Sequence, residues 1–297
     1  MNEHNRLSVV RGLLLLIAMF SSIPLFAQQP GLEKPFLVFD ATSYHGKPDL
    51  TKYGFSPVNM IYVSRFGEAW YKGPMKDQVP DERTVRRVAQ SVSAKGGLTV
   101  IDIEHWSLRG DDLSVRDNVA KYLRVLSLFR QESPTMKLGY FGIVPVAAYG
   151  WSLKGSASHE YRQWQAENDR LRALGNAVDV VLPYTYTYYP DQQAWVRFAV
   201  ENIKEAKRYN KPVYVFLWPQ YTDTAKQNAL QYIPAEYWKL QLETIRQHAD
   251  GIIIWGGWGD GRPAEWDENA SWWKVTKEFM ASLPQGPIDP PTGLSIR

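Results

Sequence analysis

The chain contains no cysteine. That excludes a structural disulfide, a thiol nucleophile, a lipid-modified cysteine and a thiolate-held metal, so the fold must rest on its apolar core alone. Histidine is sparse, and His45, His105, His159 and His248 have no metal-binding spacing such as H-E-x-x-H, so no metal is expected. Ser107 and the other serines lack the G-x-S-x-G setting of a nucleophile elbow. No glycine-rich phosphate fingerprint follows the first apolar run, which argues against a nucleotide site, and no cofactor is expected. A strong charge of one sign is missing too: +3 over 297 residues argues against bulk binding to nucleic acid. There is no internal repeat.

One long hydrophobic run is present. Arg6 and Arg11 precede an apolar stretch from Gly12 to Phe26, interrupted by Ser21, Ser22 and Pro24, and Ala27 offers a small residue at a cleavage point. The run is too short and broken for a membrane span, and it reads as an export signal over residues 1–27. The alternative is an uncleaved anchor. Export implies a secreted or periplasmic protein with no membrane contact after cleavage. Removing Glu3, Arg6 and Arg11 would take away one net positive charge, leaving room for an acidic polysaccharide at a local patch. About 270 residues then remain, enough for one barrel-sized domain at 28–283. The proline-rich stretch 284–297 reads as a tail.

Strand and helix signals alternate along the mature chain. Apolar or β-branched runs at 36–41, 60–64, 98–104, 138–143, 178–186, 212–218 and 251–256 predict strands. Helical patterns fall at 82–95, 114–131, 161–174, 193–209, 234–248 and 271–283. This order predicts an α/β fold: a single TIM-like (β/α) barrel, distorted, with seven main parallel strands.

The third run ends in Asp102 and Glu104. Side chains on a strand alternate, so these acids share one face while Ile101 and Ile103 take the other. At the carboxyl end of a barrel strand both would point into the mouth, where such folds place their chemistry. Neighbouring carboxylates repel when both are charged, so one should keep its proton near neutral pH. A proton donor beside an ionised partner suits cleavage of a glycosidic bond. Twelve tryptophans and seventeen tyrosines add a hint of sugar stacking. Tyr184, Tyr186, Trp218, Trp255 and Trp258 cluster where later strands end, and Asp40 ends the first.

These residues resemble the hyaluronidases of venoms and mammals. Val100-Ile101-Asp102-Ile103-Glu104-His105-Trp106 is similar to that family's V-I-D-x-E-x-W strand end. The same order continues through Pro35-Phe36-Leu37-Val38, the stretch from Ile61 to Gly67, Gly139-Tyr140-Phe141, Leu182-Pro183-Tyr184-Thr185-Tyr186, Pro212-Val213-Tyr214-Val215 and the stretch from Gly251 to Gly256. The resemblance spans roughly residues 35–283. It implies a retaining β-N-acetylhexosaminidase in which Glu104 is the acid and then the base. The substrate's acetamido oxygen would be the nucleophile, and Asp102 would orient the acetamido group. It also implies that Tyr186 and Trp255 shape the acetamido pocket, with Phe141 in a substrate subsite.

The chain departs from the family at Phe141, where a tyrosine is usual, and at Gly257 and Trp258, where serines are usual. Hyaluronan specificity therefore stays open. Arg65, Arg109 and Lys154 could meet uronate carboxylates, although ordinary solvated roles are the favoured reading. The expected partner is a polysaccharide or glycosaminoglycan-like substrate, acted on by a monomer. Two alternatives remain. One is a glycosidase for sugars without an acetamido group, using Asp40 or Asp260 as nucleophile. The other is a glycan-binding barrel without turnover.

Overall fold

The computed structural model describes residues 35–259 and 262–284. The expected export signal, Asp260 and all but the first residue of the expected tail lie outside the described residues. Six strands, β1 (Leu37–Thr42), β2 (Ser56–Tyr62), β3 (Leu98–Asp102), β4 (Lys137–Tyr140), β5 (Tyr214–Leu217) and β6 (Gly251–Gly256), form one sheet. Their order is β4-β3-β2-β1-β6-β5, and every pairing is parallel. A small antiparallel hairpin, β7 (Trp258–Gly259) and β8 (Arg262–Pro263), follows β6.

The helices are α1 (Glu68–Tyr71), α2 (Glu82–Ser93), α3 (Asp112–Glu132), α4 (Tyr149–Ser152), α5 (His159–Asp169), α6 (Arg172–Ala177), α7 (Gln192–Lys207), α8 (Ala235–His248) and α9 (Ser271–Ser282). Several start where an aspartate satisfies the first orphan amides. Asp81 accepts from Thr84, Asp111 from Leu113 and Ser114, and Asp191 from Ala194. Each such cap contributes about 1 kcal/mol.

Strand parity divides the core in two. Val38, Ile61, Ile101, Leu138, Val215, Ile252 and Ile254 point outward against the helices. Phe39, Ala41, Leu98, Val100, Phe141, Val180, Leu182, Phe216 and Ile253 fill the inside of the curled sheet. Gly139 is the gap that lets this interior close. A Cβ there would lie 2.6 Å from the Leu182 side chain and 2.8 Å from that of Val180.

The fifth of the seven expected strands, 178–186, is not a continuous strand. It meets its neighbours through single bridges, Phe141 with Leu182 on one side and Val181 with Val213 and Tyr184 with Phe216 on the other. Pro183 has no amide to donate, so the ladder is interrupted there. The carbonyl of Pro183 still accepts from Phe216 at 2.8 Å, and Gly142 donates to Leu182 at 2.9 Å. The two sheet edges are thus linked through segment 179–185, an arrangement consistent with a TIM-like barrel.

Other boundaries also moved. β2 begins at Ser56, before the expected 60–64, and Val63–Phe66 is a 3-10 turn. Asn59 looks unsuited to a strand, yet its amide donates to the Gly96 carbonyl at 2.9 Å. The helix expected at 161–174 is two helices, α5 and α6, with Leu171 outside helical geometry between them.

Candidate active site

β3 stops at Asp102, two residues before Glu104. The side-chain parity nonetheless persists: Ile101 and Ile103 are both fully buried on the outer side, and Asp102 and Glu104 line one cavity of about 290 Å³. The loop carrying Glu104 is held from behind. The Tyr122 hydroxyl on α3 lies 3.0 Å from the Ile103 carbonyl and 3.1 Å from that of Trp106, donating to this pair. The Trp106 indole donates to the Lys76 carbonyl at 2.8 Å. Trp106 is buried, so it anchors the loop and does not meet substrate.

Burial, reinforced by the charge of Glu104 and a hydrogen bond between the two carboxyl groups, pushes Asp102 up to about 7. Glu104 is raised by burial too, while its hydrogen bond to Asp102 pulls the other way. Solvent reaches Glu104 at the mouth, and Asp102 sits deeper. Glu104 is the more accessible of the two to a leaving oxygen, and the greater depth of Asp102 favours its holding the proton. Because the carboxyls are hydrogen-bonded, one proton near neutral pH serves the pair, and either oxygen set can present it.

The walls are aromatic and come from successive strand ends. Trp255 near the end of β6 and Trp218 just after β5 meet edge to face, with ring centroids 4.8 Å apart. Tyr186 lies nearly parallel to Trp255 at 6.0 Å, and Phe141 stacks on Tyr184 at 5.6 Å. Gly142 makes room for that pair: it has φ 61°, and a Cβ would lie 2.7 Å from the Tyr184 ring. Burial and the charges of Asp102 and Glu104 keep the Tyr186 hydroxyl protonated well above its usual range, so it remains a donor beside the acids.

The cavity therefore brings together Asp102, Glu104, Phe141, Tyr184, Tyr186, Trp218 and Trp255. Asp40 is not there. Phe39 and Ala41 point into the barrel, so parity sends Asp40 outward, where it pairs with Lys47 at 2.6 Å and accepts from the Thr42 amide at 2.9 Å. Trp258 is not among the cavity-lining residues either. It is 38% exposed, on the hairpin beyond β6, close to the Tyr62 hydroxyl.

Tyr188, from the tyrosine-rich stretch that also carries Tyr184 and Tyr186, lines the cavity as well, and so do Met60, Thr222, Asp223 and Thr224, which were missed from the sequence. Met60 follows from β2 parity once the strand is known to begin at Ser56. Asp223 reaches the site on a loop that folds back over the barrel. Thr222 donates to the Thr187 carbonyl at 3.0 Å, and the Gln220 amide donates to the Leu230 carbonyl at 2.6 Å. No local pattern signals such a return. The three cations flagged in the sequence are engaged elsewhere. Arg65 donates to Ser91 at 3.1 Å, Lys154 pairs with Glu160 at 2.6 Å, and Arg109 binds the Ala147 carbonyl at 2.9 Å.

Several of the twelve tryptophans are core residues. Trp106, Trp164, Trp195, Trp238 and Trp273 are fully buried, so composition overstated the sugar-binding surface.

No protein-family model matches the chain, and no curated protein does. Solved structures do. Bee venom hyaluronidase is similar over 74% of this chain and 91% of that one, at 17% identity and a TM-score of 0.56. The same enzyme in complex with a hyaluronic acid tetramer is similar over 84% and 97%, at 17% identity and a TM-score of 0.55. A modular endo-beta-1,4-mannanase from Cellulomonas fimi is similar over 79% of this chain and 55% of that one, at 11% identity and a TM-score of 0.50. At these identities the likeness is one of architecture: the chain shares a TIM-barrel-like fold with these proteins.

Proposed function

We propose that the protein is an exported glycoside hydrolase that cleaves a glycan at β-linked N-acetylhexosamine by a retaining, substrate-assisted route. The observation that carries this reading is the neighbouring carboxyl pair, Asp102 and Glu104, lining one aromatic-walled cavity at the carboxyl ends of the strands. Glu104 delivers the pair's proton to the glycosidic oxygen as the bond to the anomeric carbon breaks. The substrate's acetamido oxygen attacks that carbon and closes a five-membered ring. Asp102 accepts a hydrogen bond from the acetamido N–H and stabilises the positive charge of that ring. Water then attacks the anomeric carbon as its bond to the acetamido oxygen breaks and the ring reopens to the acetamido group, while Glu104 takes the water's proton and the pair is restored. The likeness to a hyaluronidase in complex with a hyaluronic acid tetramer supports a polysaccharide substrate.

A second reading has one observation in its favour. Asp223 lines the same cavity as Glu104, so on a sugar without an acetamido group it could supply the nucleophile. It replaces Asp40, which faces away, in that role. A binding barrel without turnover fits less well, because nothing in stacking requires two adjacent carboxyls.

Glu104→Gln tests the proposal. It removes the transferable proton at little change in volume, and reducing-end release from a panel of glycans should fall by on the order of 10²–10⁴-fold. Turnover close to that of the native protein would end the catalytic assignment.

A further inference from the structure

A second cavity, of about 310 Å³, adjoins the carboxylate pocket and shares its Tyr184 and Tyr188 walls. Tyr149 and Trp151, on α4 after β4, form its far side. It is built and held. The Ala148 backbone region packs with Trp151 against buried Tyr161 and Trp164, and the Trp164 indole donates to the Val146 carbonyl at 2.7 Å. Each cavity sits near the lower end of the range for small-ligand sites, about 300–1,000 Å³, which suits one sugar residue in each.

Charge decides what kind. Asp102, Glu104 and Asp223 line the carboxylate pocket, and none of its described lining residues is Lys, Arg or His. Among its described lining residues the adjoining cavity has one cation, Arg109, and that cation is partly neutralised. Its Nε lies 3.5 Å from the half-buried Glu167 carboxylate, its Nη2 donates to the Ala147 carbonyl at 2.9 Å, and its guanidinium lies 5.6 Å from the Trp151 ring centre. A uronate would meet three acids in the first cavity and a compensated arginine in the second. A neutral ring meets aromatic faces in both.

We infer that the Trp151 cavity is a second subsite of the same groove and that the groove takes an uncharged glycan. This rests on the glycosidase reading for the role of the first cavity. Arg109 is then a positioning residue that fixes the Trp151 face.

Binding to the Glu104→Gln protein tests this without turnover. By calorimetry, the uncharged tetramer of β-1,4-N-acetylglucosamine should bind at least tenfold more tightly than the hyaluronan tetramer. Adding Trp151→Ala should weaken the uncharged tetramer about tenfold, and Trp151→Phe should restore most of that loss. Equal or tighter hyaluronan binding, no binding of either tetramer, or an unchanged affinity in a folded Trp151→Ala protein would overturn the inference. If the native protein hydrolyses no glycan at all, the glycosidase reading fails, while the binding comparison still decides the subsite.

Discussion

The indole N–H of Trp255 on β6 donates to the hydroxyl oxygen of Tyr62 on β2 at 3.2 Å, reaching across β1, which lies between those strands. Tyr62 in turn is the register partner of Asp102 on β3. The Trp255 wall of the cavity is therefore fastened to the residue that pairs with Asp102 across the sheet.

Trp255→Ala should remove a stacking face and free Tyr62. We expect kcat/KM to fall by about 10²-fold with kcat lowered as well, because misplaced reacting groups raise the barrier itself. Trp255→Phe keeps a ring and loses only the indole donor, so its loss should be smaller. Steady-state kinetics on both variants checks the order.

The raised Asp102 sets a pH dependence. Its ordinary value is 3.8 and its folded value about 7. Below the first, folded and unfolded chains both hold the proton and nothing is lost. As pH rises between the two, the unfolded chain releases the proton while the fold retains it, so stability falls, levelling off above the second. Asp102→Asn does not titrate. It should match the native protein at low pH and be more stable above neutrality by about 2–3 kcal/mol, once solvent access to the pocket is allowed for. Activity of the native protein should decline as the pair loses its shared proton above neutral pH. Denaturation curves across the pH range, beside a kcat/KM profile, measure both effects.

Tyr122→Phe should loosen the loop that carries Glu104. The variant leaves the Ile103 and Trp106 carbonyls without their hydroxyl partner, a cost of about 1–3 kcal/mol for buried groups. Glu104 lies between these anchors, so kcat should suffer more than KM. Denaturant unfolding and kinetics on the same preparation separate the two.

The two mechanistic readings part on one reagent. A thiazoline mimic of the cyclised intermediate should inhibit competitively and far more tightly than substrate binds, if the acetamido group is the nucleophile. A covalent glycosyl adduct trapped at Asp223 and seen by mass spectrometry would establish the other route.

The carboxyl pair was legible because it needed only local information: a β-branched run, a period of two, and two acids at its end. Tyr184, Tyr186, Trp218 and Trp255 were legible as aromatics toward the ends of apolar runs, whereas Phe141 came only through the family resemblance. Parity also placed Asp40 outside, once the register of Phe39 with Ile253 was known; the strand end alone did not reveal it. Asp223 could not be found this way. Its position depends on tertiary hydrogen bonds from Gln220 and Thr222 that have no counterpart in spacing. Pro183 was the one readable warning that segment 178–186 would not be a full strand.

That interrupted segment carries Tyr184 and Tyr186, walls of the carboxylate pocket, on the part of the ring with the fewest ladder bonds. Fewer backbone bonds mean a lower free energy of local opening. The amides of Val181 and Thr185 should therefore exchange with solvent deuterium sooner than those of β1 or β6, and should slow when a sugar fills the pocket. A barrel built this way should yield on the Pro183 side before it yields at its acids, and the width of ligand it accepts should be set there.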